Sequence, residues 1–140
     1  MKNDIEAARE LVRKARRILV FTGAGISTGS GIPDYRGPGG VWLKREPVLY
    51  DEFISSTKSK VDYWRYKAET FPAFAAAAPN AAHKAVAALE ASGRLLAVVT
   101  QNIDSLHRAA GTHTDKLVEL HGSGLYAECL DCHAWVSMAE

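Results

Sequence analysis

The chain has 140 residues, 24% of them charged and 47% hydrophobic, with a net charge of +1. That balance suits one ordinary globular domain and excludes a disordered acidic or basic tail. It gives no reason to expect direct nucleic-acid binding or attraction to an anionic membrane.

No apolar stretch precedes a cleavage site at the N-terminus, and the apolar run 18–21 is too short for a secretory leader or a membrane span. A cytoplasmic protein without a membrane partner is expected. Residues 4–16 place Ile5, Ala8, Leu11, Val12 and Ala15 on one face at helical spacing, with Asn3 and Glu6 as a capping pair. The cluster Arg13-Lys14-Arg16-Arg17 reads as the solvated face of that helix. Residues 18–21, wholly apolar, read as a strand covered on both faces. Gly23 to Gly40 is crowded with glycine and proline and is expected to be an ordered, functional loop.

Residues 43–78 are expected to be helical in pieces, an inserted cap whose aromatics Tyr63, Trp64, Tyr66, Phe71 and Phe74 form core. Pro79 is expected to open a helix through Ala82, Ala85, Val86 and Leu89, closed by Gly93. Residues 95–100 form a second strand, 105–110 a short helix stopped by Gly111, and 117–120 a third, short strand.

Each strand is followed at once by chemically capable residues. After Phe21 comes Gly23-Ala24-Gly25, after Val99 comes Thr100-Gln101-Asn102-Ile103-Asp104, and after Leu120 comes His121-Gly122-Ser123. In open parallel α/β sheets the ligand crevice lies outside the carboxyl ends of the strands, so these three groups are expected around one crevice.

Gly23-x-Gly25 after a strand suits close approach of the backbone to a pyrophosphate. The next glycine falls at Gly29, away from the dehydrogenase spacing, and no strand ending in an acidic residue follows about 20 residues on. A hydride-transferring dehydrogenase is therefore disfavoured. Cys129-x-x-Cys132 without a secretion signal points to metal or redox chemistry in a reducing compartment. Asp104 is a natural N-cap as well as a site residue, His83 and His107 sit on helices as structural groups, and His113 is expected at a loop surface. Ser27 and Ser30 read as loop hydrogen-bonders, since nothing supplies either with a base.

The string Gly23-Ala24-Gly25-Ile26-Ser27-Thr28-Gly29-Ser30-Gly31-Ile32-Pro33-Asp34-Tyr35-Arg36 resembles the signature loop of the sirtuins, the NAD-dependent protein-lysine deacylases. Thr100-Gln101-Asn102-Ile103-Asp104, Leu120-His121-Gly122 and Cys129-x-x-Cys132 resemble the family's further motifs, in the same order, and Pro38-x-Gly40-Val41-Trp42 resembles one of its branches.

The resemblance implies an α/β, Rossmann-like parallel sheet with helices on both faces, present in part, over residues 1–124. The start of a small zinc-binding module would occupy 125–140. It implies that Gly23, Ala24, Gly25 and Thr28 line the NAD phosphates and adjoining ribose, that Asp34, Tyr35 and Arg36 shape a mobile loop, and that Trp42 frames the cofactor. Gln101, Asn102, Ile103 and Asp104 would hold the nicotinamide end. His121 would be the general base that draws a proton from the ribose hydroxyls after the acyl oxygen of a modified lysine has displaced nicotinamide. Products would be free lysine, nicotinamide and an acylated ADP-ribose.

Zinc would take Cys129 and Cys132 as half of its ligand set, with His133 an awkwardly adjacent third. The family's second Cys-x-x-Cys and later strands would lie beyond Glu140. Partners implied are an acyl-lysine protein or peptide and a complementing C-terminal segment or self-association, because half a sheet leaves an edge and apolar faces unpaired. Family members that favour acidic acyl groups carry Tyr-x-x-Arg where this chain has Trp64-x-x-Lys67, which favours acetyl or another neutral acyl group. The rival expectations are an inactive NAD- or partner-binding fragment and an ADP-ribosyltransferase.

Overall fold

The computed structural model describes residues 2–139, with side chains described from residue 4 onward. Three parallel strands form the central sheet in the order β1 (Ile18–Thr22), β2 (Leu95–Thr100), β3 (Leu117–Glu119). Parallel neighbours need crossovers. The first crossover carries α2 (Tyr50–Ser55), α3 (Thr57–Ala75) and α4 (Ala81–Ala91), and the second carries the short α5 (Leu106–Ala109). An antiparallel hairpin, β4 (Tyr126–Glu128) and β5 (Trp135–Ser137), follows as a separate small sheet.

The core lies between α4 and one face of the sheet. Val86 and Leu89 of α4 pack with Val20, Leu95, Val98 and Leu117. Val98 is fully buried. α4 starts one step later than its sequence suggests. Asn80, not Pro79, is the N-cap, its Oδ1 accepting from the amides of Ala82 at 2.9 Å and His83 at 3.4 Å. Pro79 stands before the cap, since asparagine can satisfy free first-turn amides and proline cannot. Gly93 closes the helix at φ +72, a region that favours glycine.

The opposite face of the sheet is open among the described residues. Leu19 and Phe21 of β1 and Val118 and Leu120 at β3 are all exposed, Phe21 to 61%. β1 is an edge strand with one uncovered face, which corrects the expectation of a strand covered on both sides and of helices on both faces of the sheet. The apolar run forms the expected strand; what covers it is not encoded in the run itself. The same holds for α1 (Lys2–Lys14), whose apolar stripe is real but unburied, with Leu11 73% exposed. Arg94 ties α1 to the sheet by donating to the carbonyl of Val12 at 3.0 Å. The Asn3–Glu6 capping pair lies outside the described residues, because the Asn3 side chain is not among them; Glu6 pairs with Arg9 at 3.3 Å. None of the described helices is long and apolar enough to cross a membrane.

Candidate active site

The three strand ends converge. The amide of Gln101 donates to the carbonyl of Thr22 at 3.0 Å, and that of Leu120 donates to Thr100 at 2.9 Å, so the chain segments leaving β1, β2 and β3 stay side by side. Below them Thr22 Oγ1 donates to Thr100 Oγ1 at 2.8 Å, and Thr100 Oγ1 also accepts from the amide of Asn102 at 3.0 Å.

Asn102 is buried and its amide nitrogen donates twice, to the Gly23 carbonyl at 3.2 Å and to Ser27 Oγ at 3.0 Å. Ser27 Oγ in turn donates to Asp104 Oδ2 at 2.6 Å. Asp104 Oδ1 accepts from the amide of Leu106 at 2.9 Å, so one carboxylate both serves the first amide of α5, whose N-cap position is Ser105, and anchors the loop after β1. The loop after β1 is not irregular: Ala24–Ser30 forms a 3₁₀ helix ended by Gly31 at φ +86. Asn80 holds it from outside, its Nδ2 donating to Ile26 O at 2.7 Å and Ser30 Oγ at 3.0 Å. Thr28 Oγ1 bonds back to the Gly25 carbonyl. Ser27 and Ser30 are thus loop hydrogen-bonders, as expected.

Farther along, Asp34 Oδ1 accepts from the Gly37 amide at 3.0 Å, and the Tyr35 and Trp42 rings lie 5.3 Å apart with the Arg36 guanidinium 4.8 Å from the Trp42 ring centre. A Cβ on Gly40 would stand 2.5 Å from the Tyr35 carbonyl oxygen, so only glycine lets the loop close there. Burial raises the Tyr35 hydroxyl pKa above its ordinary range, with Tyr66 and Asp104 adding to the effect.

His121 is exposed at the crevice, and its Nδ1 lies 2.9 Å from the Gln101 carbonyl. A carbonyl can only accept, so Nδ1 donates to it, and in the neutral ring the lone pair is then on Nε2. A cavity of about 340 Å³ beside His121 is walled by Phe53, Tyr63, Trp64, Lys67, Ile103 and Met138, among others. A second, of about 460 Å³, is lined by Tyr35 and Trp42 on one side and Tyr66, Phe71 and Phe74 on the other. Tyr63, Lys67, Ile103 and Gly124 line both. The aromatics of α3, expected as core, are therefore cavity walls. Burial lowers the pKa of Lys67, whose Nζ sits 5.5 Å from the Tyr63 ring centre.

His83 and His107 are buried, with ring centres 4.9 Å apart, and His107 Nε2 lies 3.0 Å from Thr22 Oγ1. Burial lowers both pKa values, so both imidazoles are held neutral beneath the site; the carboxylate of Asp104 opposes that shift in each. His113 is exposed, as expected. Cys129 and Cys132 are exposed free thiols on the hairpin turn, and amide bonds from Cys132 and Asp131 lower the Cys129 pKa. His133 is turned to Glu128, Nδ1 to Oε1 at 2.7 Å, which occupies the proposed third donor. No cluster of three or more metal-ligating side chains occurs among the described residues.

Sequence reasoning missed Asn80, Thr22, Ser105 and Glu119, and placed Ser123 at the crevice without its partners. The Pro-Asn step before an apolar helix signalled the first; the others show only once the strands are paired.

Comparison with known proteins agrees with this geometry. The model of the Sir2 family matches residues 23–140. NAD-dependent protein deacetylase 1 of Bradyrhizobium diazoefficiens is 42% identical over 94% of this chain and 52% of its own length. The NAD-dependent protein deacetylase of Thermodesulfovibrio yellowstonii is 46% identical over 91% of the chain and 49% of its own. A solved Sir2 structure with a deacetylated p53 peptide and 3'-O-acetyl ADP-ribose superposes with a TM-score of 0.84 at 38% identity, covering 96% of this chain and 54% of that one. The chain thus spans about half the length of the relatives it matches. On the extent of the family match, the chain belongs to the Sir2 family.

Proposed function

We propose that the chain is the N-terminal portion of an NAD-dependent protein-lysine deacylase, with residues 1–124 as its cofactor-binding and catalytic part and 125–140 as the opening of a zinc-binding module. The observation that carries this reading is His121, its Nδ1 2.9 Å from the Gln101 carbonyl, beside a cavity at the shared ends of three parallel strands. NAD fits the crevice: open space stands where a Cβ on Gly25 would point, so an anionic group can meet the backbone there. Relatives of this chain are named NAD-dependent deacetylases.

When bound, NAD supplies an ADP-ribosyl group to the acyl oxygen with nicotinamide as leaving group. The chain's own residues do the rest. Gly23, Ala24, Gly25 and Thr28 hold the phosphates and adjoining ribose, while Tyr35, Arg36 and Trp42, braced by Asp34, exclude water from above. Gln101, Asn102, Ile103 and Asp104 form the nicotinamide wall, and their cross-links to Ser27 and Gly23 keep it rigid. His121 Nε2 takes a proton from a ribose hydroxyl, and the Gln101 carbonyl steadies the resulting imidazolium. Trp64 and Lys67, standing where family members that favour acidic acyl groups carry Tyr and Arg, are the ground for favouring acetyl or another neutral acyl group.

Cys129 and Cys132 suit half a tetrahedral zinc site, since their thiols share one turn and neighbouring amides favour the thiolate of Cys129. The remaining ligands would come from another segment or chain. A reducing, cytoplasmic location is part of this proposal, supported by the Cys129-x-x-Cys132 pattern.

The test is incubation with an acetyl-lysine peptide and NAD labelled in its ADP-ribose part. The expected result is loss of the acetyl mass and label on a small acylated ADP-ribose, both abolished by His121→Ala. Label on protein would favour the ADP-ribosyltransferase reading. No turnover by a folded chain would favour a binding fragment, a reading supported by the open sheet face.

A further inference from the structure

Ser105 has φ +57 and ψ 17, a left-handed backbone that a serine rarely adopts. Strain of this kind persists where the surroundings over-determine it. Here the surroundings are a chain of hydrogen bonds that stitches the loop after β2 to the loop after β3. Ser105 Oγ donates to Glu119 Oε1 at 3.2 Å and lies 3.1 Å from Ser123 Oγ. Ser123 Oγ accepts from the Leu125 amide at 3.2 Å, and Arg108 holds the other Glu119 oxygen at 2.9 Å.

The donor count leaves one arrangement. The Ser105 proton goes to the carboxylate, so Ser123 must donate to Ser105, while its own oxygen takes the Leu125 amide. The Glu119 side chain is only 12% exposed and its partner Arg108 fixes it, so the chain ends on a held anion. Ser123 is two residues beyond His121, and Ser105 is one beyond Asp104. The Gly124 amide adds a bond to the Ile103 carbonyl at 2.7 Å.

We propose that Ser105, Ser123 and Glu119 are positioning residues, a hydroxyl clamp that keeps the two loops in register and so holds the His121 ring on the Gln101 carbonyl. The clamp's catalytic consequence rests on the deacylase reading; its existence rests on geometry alone. It explains why a strained serine stands where glycine would be relaxed: glycine supplies the backbone shape and no hydroxyl.

The test uses the full 140-residue chain and reads the His121 ring directly, by long-range nitrogen-15 NMR at about pH 8, where imidazole is neutral. The wild type is expected in a single Nδ1–H form. Ser105→Gly and Ser123→Ala are expected to release the ring into a mixture with the Nε2–H form, and Ser123→Thr, which keeps the hydroxyl, to restore the wild-type signature. Because glycine relieves the backbone, Ser105→Gly is expected to melt no lower than wild type, separating positioning from folding. A second readout is turnover: kcat falls roughly tenfold in Ser105→Gly and Ser123→Ala with KM for NAD unchanged. An unaltered His121 tautomer in both variants overturns the clamp. A responsive tautomer in a chain without deacylase activity overturns the functional reading and leaves the clamp standing.

Discussion

The crevice at the strand ends and the outer face of the same three strands are built from the same backbone and end in opposite conditions. At the crevice the loop groups answer one another: Asn102 serves Gly23 and Ser27, Asp104 serves Ser27 and Leu106, and His121 is tied to Gln101. On the outer face Leu19, Phe21, Val118 and Leu120 stand in solvent, and β1 offers an unpaired edge among the described residues. The polar half of the design closes locally because hydrogen bonds are short-range and directional. Apolar burial needs a second layer of matching area, and the described residues cover one face only. The chain spans about half the length of its matched relatives, so the contrast concerns where in the family's architecture the local and the global parts divide.

The largest effect expected from breaking the crevice is at His121. If it is the general base, His121→Ala lowers deacylation by about 10²- to 10⁴-fold, measured as acetyl-peptide turnover, while the melting temperature stays put because the side chain is exposed. Asn102→Ala comes next. It removes two cross-links at a buried position, so unfolding is expected to become easier by about 1–3 kcal/mol and NAD binding to weaken, read by urea titration and calorimetry.

The outer face responds in the opposite way. Phe21→Ser and Leu19→Ser together are expected to change folding stability by under about 1 kcal/mol, since both side chains are exposed. Association and dye binding by the exposed apolar surface should fall sharply. A sharp, reversible, concentration-independent melt of the wild-type monomer would contradict the idea that this face seeks a partner.

The smallest effect concerns pH. His83 and His107 are held neutral, their folded pKa values depressed below the unfolded one. The unfolded chain therefore binds more protons, and stability is present above an unfolded pKa of about 6.5 and declines as pH falls through that value towards the folded pKa. His107→Gln is expected to flatten this decline, measured by melting temperature between neutral pH and about pH 5.

Much of the crevice was legible in the chain because strand ends carry their chemistry in contiguous residues. Gly23-Ala24-Gly25, Thr100 to Asp104 and His121-Gly122-Ser123 can be placed together because each group directly follows a strand. Residues whose meaning depends on partners far along the chain were not legible. Thr22 matters through Thr100 and His107, and Ser105 matters through Glu119 and Ser123. The exposed face was misread for a related reason. An all-apolar strand such as residues 18–21 reports that cover is needed on both sides, and the covering layer is a long-range fact. The aromatics of α3 were misjudged because helical spacing tells which residues share a face, not whether that face meets a core or a cavity.

The most direct test of the account is to titrate NAD into the chain while following backbone and side-chain NMR signals. Shifts are expected at Gly23, Gly25, Ser27, Asn102, Asp104 and His121, with Leu19, Phe21 and Val118 undisturbed. Shifts confined to the outer face, or none at millimolar NAD in a folded chain, would contradict the claim that the strand-end crevice is the cofactor site.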